Sequence, residues 1–184
     1  VAPILPLRAA LEPSAPVVAP ARTFADTARF RDAMARLASG VAIVACLDRG
    51  APRGLLVSSL TSLSVEPPRM LFCVRKTAGA HDALIRARRC SLSVLSDRHG
   101  EEAERFSSSS RAEERFSAEI WRLDSGQPPQ FSDALVSLTG SLCGRTDAGS
   151  HTVFFMDIET AESAMAEPLI YFGRGFRALG PAGT

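Results

Sequence analysis

The residues whose types could do chemistry concentrate in Gly54–Arg69, GLLVSSLTSLSVEPPR, which runs straight into the apolar stretch Met70–Val74. Ser58, Ser59, Thr61, Ser62 and Ser64 place five hydroxyls within seven residues. Such hydroxyls, with free backbone N–H groups at a strand end, can hold a polar, planar ligand without placing a charge in the site. Pro67–Pro68 then removes two donors and fixes two φ angles, which sets where the next strand begins. Elsewhere the reactive side chains are dispersed. His81, His99 and His151 have no metal-ligand spacing, and Cys46, Cys73, Cys90 and Cys143 form no CxxC pair. No Ser-His-Asp arrangement can be assembled. Each cysteine sits in an apolar segment, which suits small buried thiols in a reducing cytoplasm. Lys76 is the only lysine among 21 basic residues, and its compact charge differs from arginine as a phosphate ligand.

A chain of 184 residues with 46% apolar content supports one domain with a sizeable core. A net charge of +1 gives no electrostatic case for nucleic acid or an anionic membrane surface, and no apolar run is long enough to span a bilayer. Residues 1–22 carry Pro3, Pro6, Pro13, Pro16 and Pro20 among Ala, Val and Leu. They predict a Pro/Ala-rich arm, flexible or polyproline-like, with an arm laid across a partner subunit as the alternative. Prolines break any signal-peptide core there, and a first residue other than Met suggests a trimmed product. The folded domain is expected over 23–179, with a tail at 180–184.

Within that domain, Thr23 and Asp26 have capping-box spacing, and Phe30, Ala33, Met34 and Leu37 predict a helix ending at Gly40. Val41–Cys46 reads as a buried strand, Asp48-Arg49-Gly50 as a turn, and Arg53–Val57 as the returning strand. Met70–Arg75 is a further strand, Thr77–Arg88 a helix and Cys90–Leu95 a strand. Ser96 is placed to cap a short helix ending near Arg105. Ser107–Ser110 reads as a loop. Leu135–Cys143, a turn at Asp147–Gly149, His151–Ile158 and Leu169–Phe172 complete the chain. Six or seven short strands joined by tight turns predict a mainly β, antiparallel barrel with peripheral α-helices. No GxGxxG follows a strand, which argues against a Rossmann site.

Read in order, FRDAMARLASGVAIVA, GLLVSSLTSLSVEPPRMLFCVRKT, CSLSVLS, ERF, GSHTVFF and PLIYFGRGF resemble the short-chain flavin reductases. These are FMN-binding split-barrel proteins that supply reduced flavin to two-component monooxygenases. The resemblance covers roughly residues 24–179. It implies a Greek-key-like split β-barrel in which Leu56, Val57, Ser58, Ser59, Thr61 and Ser62 line the flavin. Cys73 and Arg75 would stand at the cofactor, and Lys76 and Thr77 would begin a helix where a phosphate can bind. Of two Arg-Phe pairs, Arg105-Phe106 and Arg115-Phe116, the second would cover the cofactor. His151 would contact the nicotinamide as the catalytic residue, bordered by Tyr171 and Arg174. Two departures stand out. Ala78 and Gly79 replace further hydroxyls after the basic residue, and Ser150 replaces the Asp beside the histidine.

Taken singly, each of these residues has an ordinary structural explanation that outweighs the functional one. The hydroxyl block suits a polar strand edge, His151 a satisfied surface histidine, Cys73 core, and Tyr171 and Phe172 core or interface aromatics. Their joint occurrence in family order tips the balance. The expectation is an NAD(P)H:flavin oxidoreductase using FMN, or FAD with the same ring and first phosphate, and NADH or NADPH as co-substrate. A homodimer and a separate flavin-dependent monooxygenase are the implied partners. The alternatives are an FMN-containing reductase of a metal centre, ferric iron or cobalt corrinoid, and a flavin-binding module without turnover.

Overall fold

The computed structural model describes residues 23–180, so the expected arm at 1–22 and the tail beyond residue 180 lie outside the described residues. The order is α1 (Thr27–Met34), β1 (Ser39–Gly40), β2 (Ala42–Asp48), β3 (Ala51–Val57), β4 (Leu60–Val65), β5 (Pro68–Arg75), α2 (His81–Arg86) and β6 (Arg89–Val94). A short helical turn, Asp97–His99, leads into α3 (Gly100–Ser107) and a second turn, Ser109–Glu114. Then follow β7 (Trp121–Arg122), β8 (Gln130–Phe131), β9 (Val136–Ala148), β10 (His151–Ser163), β11 (Leu169–Phe172) and β12 (Gly175–Ala178). Seven strands make one sheet in the order β3-β2-β6-β9-β10-β5-β4, flanked by the small sheets β1-β11-β12 and β7-β8. Every pairing is antiparallel. The fold is mainly β with peripheral helices. It has more strands than expected, because two-residue strands and the polar β4 give no apolar signal.

The apolar run Val41–Cys46 decides the layering. Ala42, Val44 and Cys46 turn one way, into a core with Phe72, Leu84, Phe154 and Met156. Val41, Ile43 and Ala45 turn the other way, into a second core with Phe106, Trp121 and Leu169. A strand buried on both faces has no polar side and reads as continuous apolar sequence. Burial pushes the Cys46 thiol up to about 11 and raises Cys90 too, so neither ionises near neutrality. Cys143, expected to be buried, is exposed.

Two-residue turns close four hairpins, Glu66-Pro67 between β4 and β5 among them. Arg49 and Gly50 both take positive φ (53° and 83°), as do Gly173 and Arg174 (60° and 65°), the signature of a turn whose twist matches its strands. Another, Gly149-Ser150, joins β9 to β10. Both expected long helices are shorter. α1 ends at Met34 because Ser39–Gly40 pairs with Tyr171 and Ile170 as strand β1, and it buries none of its residues. α2 begins only at His81, because Ala78 N donates to Arg75 O at 3.0 Å and leaves Thr77–Ala80 as a turn. Among the described residues no helix is long and apolar enough to cross a membrane.

The two edges of the main sheet, β3 and β4, are consecutive in sequence and joined only by Ser58 and Ser59. So short a link spans roughly 10 Å, so the sheet curls until its edges meet at this point. Cys73 N seals the corner by donating to Ser59 O at 2.9 Å. No ladder joins β3 to β4. On the far side, β9 and β10 bend through register shifts at Phe155/Met156 and Ile158/Thr160. Gly140 faces the second shift, where an added Cβ would overlap Asp157 O. Gly140→Ala is therefore expected to destabilise the protein by about 3 kcal/mol or more. A thermal melt lower by roughly 10 °C would record this, and an unchanged melt would show that the bend relaxes at no cost.

Candidate functional site

The corner where β3 passes into β4 opens into a cleft of about 1120 Å³. One wall is Pro52–Val57 of β3 with the Ser58-Ser59 link, and Cys73 and Arg75 at the end of β5 continue it. The Thr77–Ala80 turn closes one side. Glu104, Phe106 and Ser107 of α3 close another with Ser109, Ala112, Arg115 and Phe116, and the β11–β12 hairpin supplies Tyr171 and Arg174–Phe176.

This cleft gathers Leu56, Val57, Ser58, Ser59, Cys73, Arg75, Thr77, Arg115, Phe116, Tyr171 and Arg174 from the residues singled out by sequence. Thr61, Ser62, Lys76 and His151 stand outside its lining. Thr61 and Ser62 sit on edge strand β4 opposite Leu71 and Met70, exposed to solvent. The ammonium of Lys76 is paired with Asp147 at the β9–β10 hairpin. That hydrogen bond, helped by one from Gly149 N at 2.9 Å, holds the Asp147 carboxyl below its ordinary value of 3.8. The pair adds stability above that pH, which is lost as pH falls through the lowered value. His151 begins β10 directly opposite Arg75, with Ser150 Oγ 2.9 Å from its Nδ1. Ser150 thus holds the ring where the resemblance led one to expect an Asp.

Among the described residues the cleft-facing edge of β3 has no neighbouring strand, so every second residue turns its N–H and C=O outward. Gly54 O is one such group and is taken by Arg115 Nη1 at 3.0 Å. The two-residue period puts Leu56 and Ser58 in the same phase. Their backbone groups, with the Ser58 and Ser59 hydroxyls, form a run of donors and acceptors that fits the polar edge of a flat ligand. Cationic chemistry comes from Arg53 and Arg75, exposed lining residues outside the described ion pairs, because Arg174 is paired with Asp32.

Arg115 has a different task. Its guanidinium donates to Arg105 O at 3.1 Å, Gly54 O at 3.0 Å, Phe106 O at 3.4 Å and Ser108 O at 2.6 Å, and it lies over the Phe106 ring. It fastens α3 and the turn after it to the edge of β3. Phe116 takes a positive φ of 62° and is held there by ring contacts with Phe106 and Trp121 at 5.1 and 4.9 Å. The sequence had left Gly54 unassigned. A Cβ there would lie 2.9 Å from both Phe116 Cζ and Val44 O. An isolated glycine inside a strand pattern is the signal that marks such a close approach. Gly175 and Phe176 close the PLIYFGRGF segment but were not singled out as site residues, because β12 is short and follows a tight turn.

The profile of the flavin reductase like domain matches residues 34–180. The FMN reductase (NADH) RutF 1 of Methylorubrum extorquens is 35% identical over 155 residues, 84% of this chain and 77% of that one. The reductase component of the 4-nitrophenol 4-monooxygenase/4-nitrocatechol 2-monooxygenase of Rhodococcus opacus is 29% identical, over 80% of this chain and 78% of that one. The solved structure of a Streptomyces globisporus NADH:FAD oxidoreductase in complex with NAD and FAD fragments superposes with a TM-score of 0.78 at 28% identity. That match covers 86% of this chain and 96% of the other.

The Arg115 clamp can be tested without any ligand. Arg115→Lys keeps the charge but cannot reach all these carbonyls, and it is expected to cost about 2 kcal/mol. Limited digestion should then cut faster after Arg111, and the melt should fall by roughly 5 °C. A variant that melts and digests like the parent would assign the guanidinium to a bound ligand instead.

Proposed function

This chain belongs to the flavin reductase like family, and on that premise we propose that it is an NAD(P)H-dependent flavin reductase supplying reduced flavin to a partner monooxygenase. The observation that carries the proposal is the cleft itself. It unites the edge of β3 and the adjoining Ser58 and Ser59 hydroxyls with an aromatic wall from Phe106, Phe116 and Tyr171, and with Arg53 and Arg75, which make none of the described ion pairs. A flavin fits this donor set. Its flat ring has a polar edge for Leu56, Ser58 and Ser59, and its phosphate is an anion for Arg75 and the Thr77–Ala80 backbone. FMN and FAD present the same ring and first phosphate, and relatives acting on each are known by name.

The chemistry a bound flavin supplies is acceptance of a hydride from a nicotinamide, so that the protein needs no nucleophile. The chain's own residues bind, orient and exclude water. Ser58 and Ser59 present hydroxyls and N–H groups where negative charge grows on the ring, a preorganised arrangement that favours reduction. Leu56 and Phe116 keep water from one face. Tyr171, packed edge-on against Phe176 at 5.6 Å, and Arg174 border the space left for the co-substrate. His151, steadied by Ser150, stands across the strand pair from Arg75, placed to meet a nicotinamide entering over the rim.

The finer architecture belongs to the same proposal: residues 23–179 form one split-barrel domain, and two copies pair. What supports pairing is α1, which leaves Phe30 and Met34 exposed, together with the half-exposed outer face of Leu71, Cys73, Val153 and Phe155 on β5 and β10.

The test is anaerobic mixing of the protein with NADH and excess FMN, following loss of the oxidised flavin band. Catalytic bleaching is expected. Arg75→Ala should raise KM for FMN about tenfold with little change in kcat, as loss of a charge-assisted contact does. His151→Ala should lower kcat by about tenfold. Flavin that binds but stays oxidised with both NADH and NADPH would leave a binding module. Bleaching that stops after one equivalent would favour the alternative, a reductase that retains its flavin and needs a separate metal centre as electron acceptor.

A further inference from the structure

The Thr77–Ala80 turn beside the cleft is fastened at both ends to a single hairpin, β9–β10. At its start Lys76 N donates to Ser150 O at 3.0 Å, and Lys76 Nζ is paired with Asp147. At its end His81 Nε2 lies 2.9 Å from Thr152 Oγ1, while Nδ1 lies 3.1 Å from Asp82 Oδ1. A carboxylate accepts only, so Nδ1 donates to Asp82, and Nε2 shares a hydrogen bond with the Thr152 hydroxyl, which can serve as donor or acceptor. Both partners are buried, at 9% and 6% exposure, with the His81 ring edge-on to Phe154. Neither lines the cleft. Yet each is one residue from something that matters there: His81 follows Ala80 of the turn, and Thr152 follows His151.

We propose that the His81–Thr152 hydrogen bond is a clasp that positions the Thr77–Ala80 turn for the flavin phosphate and keeps it in register with His151. The clasp rests on the flavin reading for its ligand. A buried pair of this kind is sensitive to loss of either member, because the survivor is left without a partner. Both residues are positioning residues, acting through backbone they hold in place.

The experiment compares Thr152→Val, His81→Leu, the double variant, and the conservative Thr152→Ser and His81→Gln, each with a verified melting transition. FMN affinity is read from fluorescence quenching without NADH. Thr152→Val and His81→Leu should bind FMN roughly two- to tenfold more weakly, the range one buried hydrogen bond is worth. The double variant should be no weaker than the poorer single, since the same bond is lost, and the conservative variants should stay within about twofold of the parent. Amide exchange over residues 77–80 should accelerate in Thr152→Val while β6 keeps its protection. Unchanged affinity with unchanged exchange overturns the clasp, as does exchange that speeds up equally throughout the sheet. If the parent protein binds no flavin, the flavin reading falls, and the local exchange result alone decides whether the clasp exists.

Discussion

The link Ser58-Ser59 has to carry the chain from one edge of a seven-stranded sheet to the other. Strand twist supplies part of the curl needed, and the bends in β9 and β10 supply more. The consequence is a corner where two edges meet without pairing. An unpaired edge is ordinarily a hazard, since its N–H and C=O groups seek partners. Here α3 and the turn after it cover one part, with Arg115 Nη1 satisfying Gly54 O, and the remaining part faces the cleft. That uncovered piece of strand edge is one wall of the cleft.

The cations around the site divide by what already occupies them. Arg115 is occupied by carbonyls, Arg174 by Asp32 and Lys76 by Asp147. Arg53 and Arg75 make none of the described ion pairs and remain available for an anion. Charge type alone therefore says little about which basic residue meets a phosphate. Geometry assigns Arg115, Arg174 and Lys76 to holding walls and hairpins together. The same division applies to the hydroxyls. Ser58 and Ser59 sit at the corner, whereas Thr61 and Ser62 have passed beyond it onto the exposed strand.

Order in the cleft is maintained from outside it. The aromatic group Phe106, Phe116 and Trp121 offsets the strained backbone of Phe116, and Trp121 Nε1 donates to Glu102 Oε1 at 3.0 Å, tying α3 beneath it. On the other side the β9–β10 hairpin holds the Thr77–Ala80 turn at both ends. The walls are thus set by buried contacts, leaving the lining groups free to face a ligand.

Local patterns carried much of this. The apolar run at Val41–Cys46, the Asp48-Arg49-Gly50 turn and the ordered family segments identify an antiparallel β protein of the flavin reductase like family, because periodicity and turn chemistry are properties of neighbours in sequence. Part of the cleft corner was also legible, since Ser58-Ser59 and Cys73-Val74-Arg75 are short contiguous stretches. What sequence could not decide was which side chains remain free. Lys76 looks like a phosphate ligand until Asp147, from a hairpin 71 residues away, is seen to hold it. Arg115 looks like a lid until its carbonyl partners are seen, and His81 carries no signal until Thr152 is brought against it. Residue type and spacing determine the chemistry a chain can offer. Only tertiary structure decides which of those groups are already satisfied, because their partners come from strands that the sheet, not the sequence, makes adjacent.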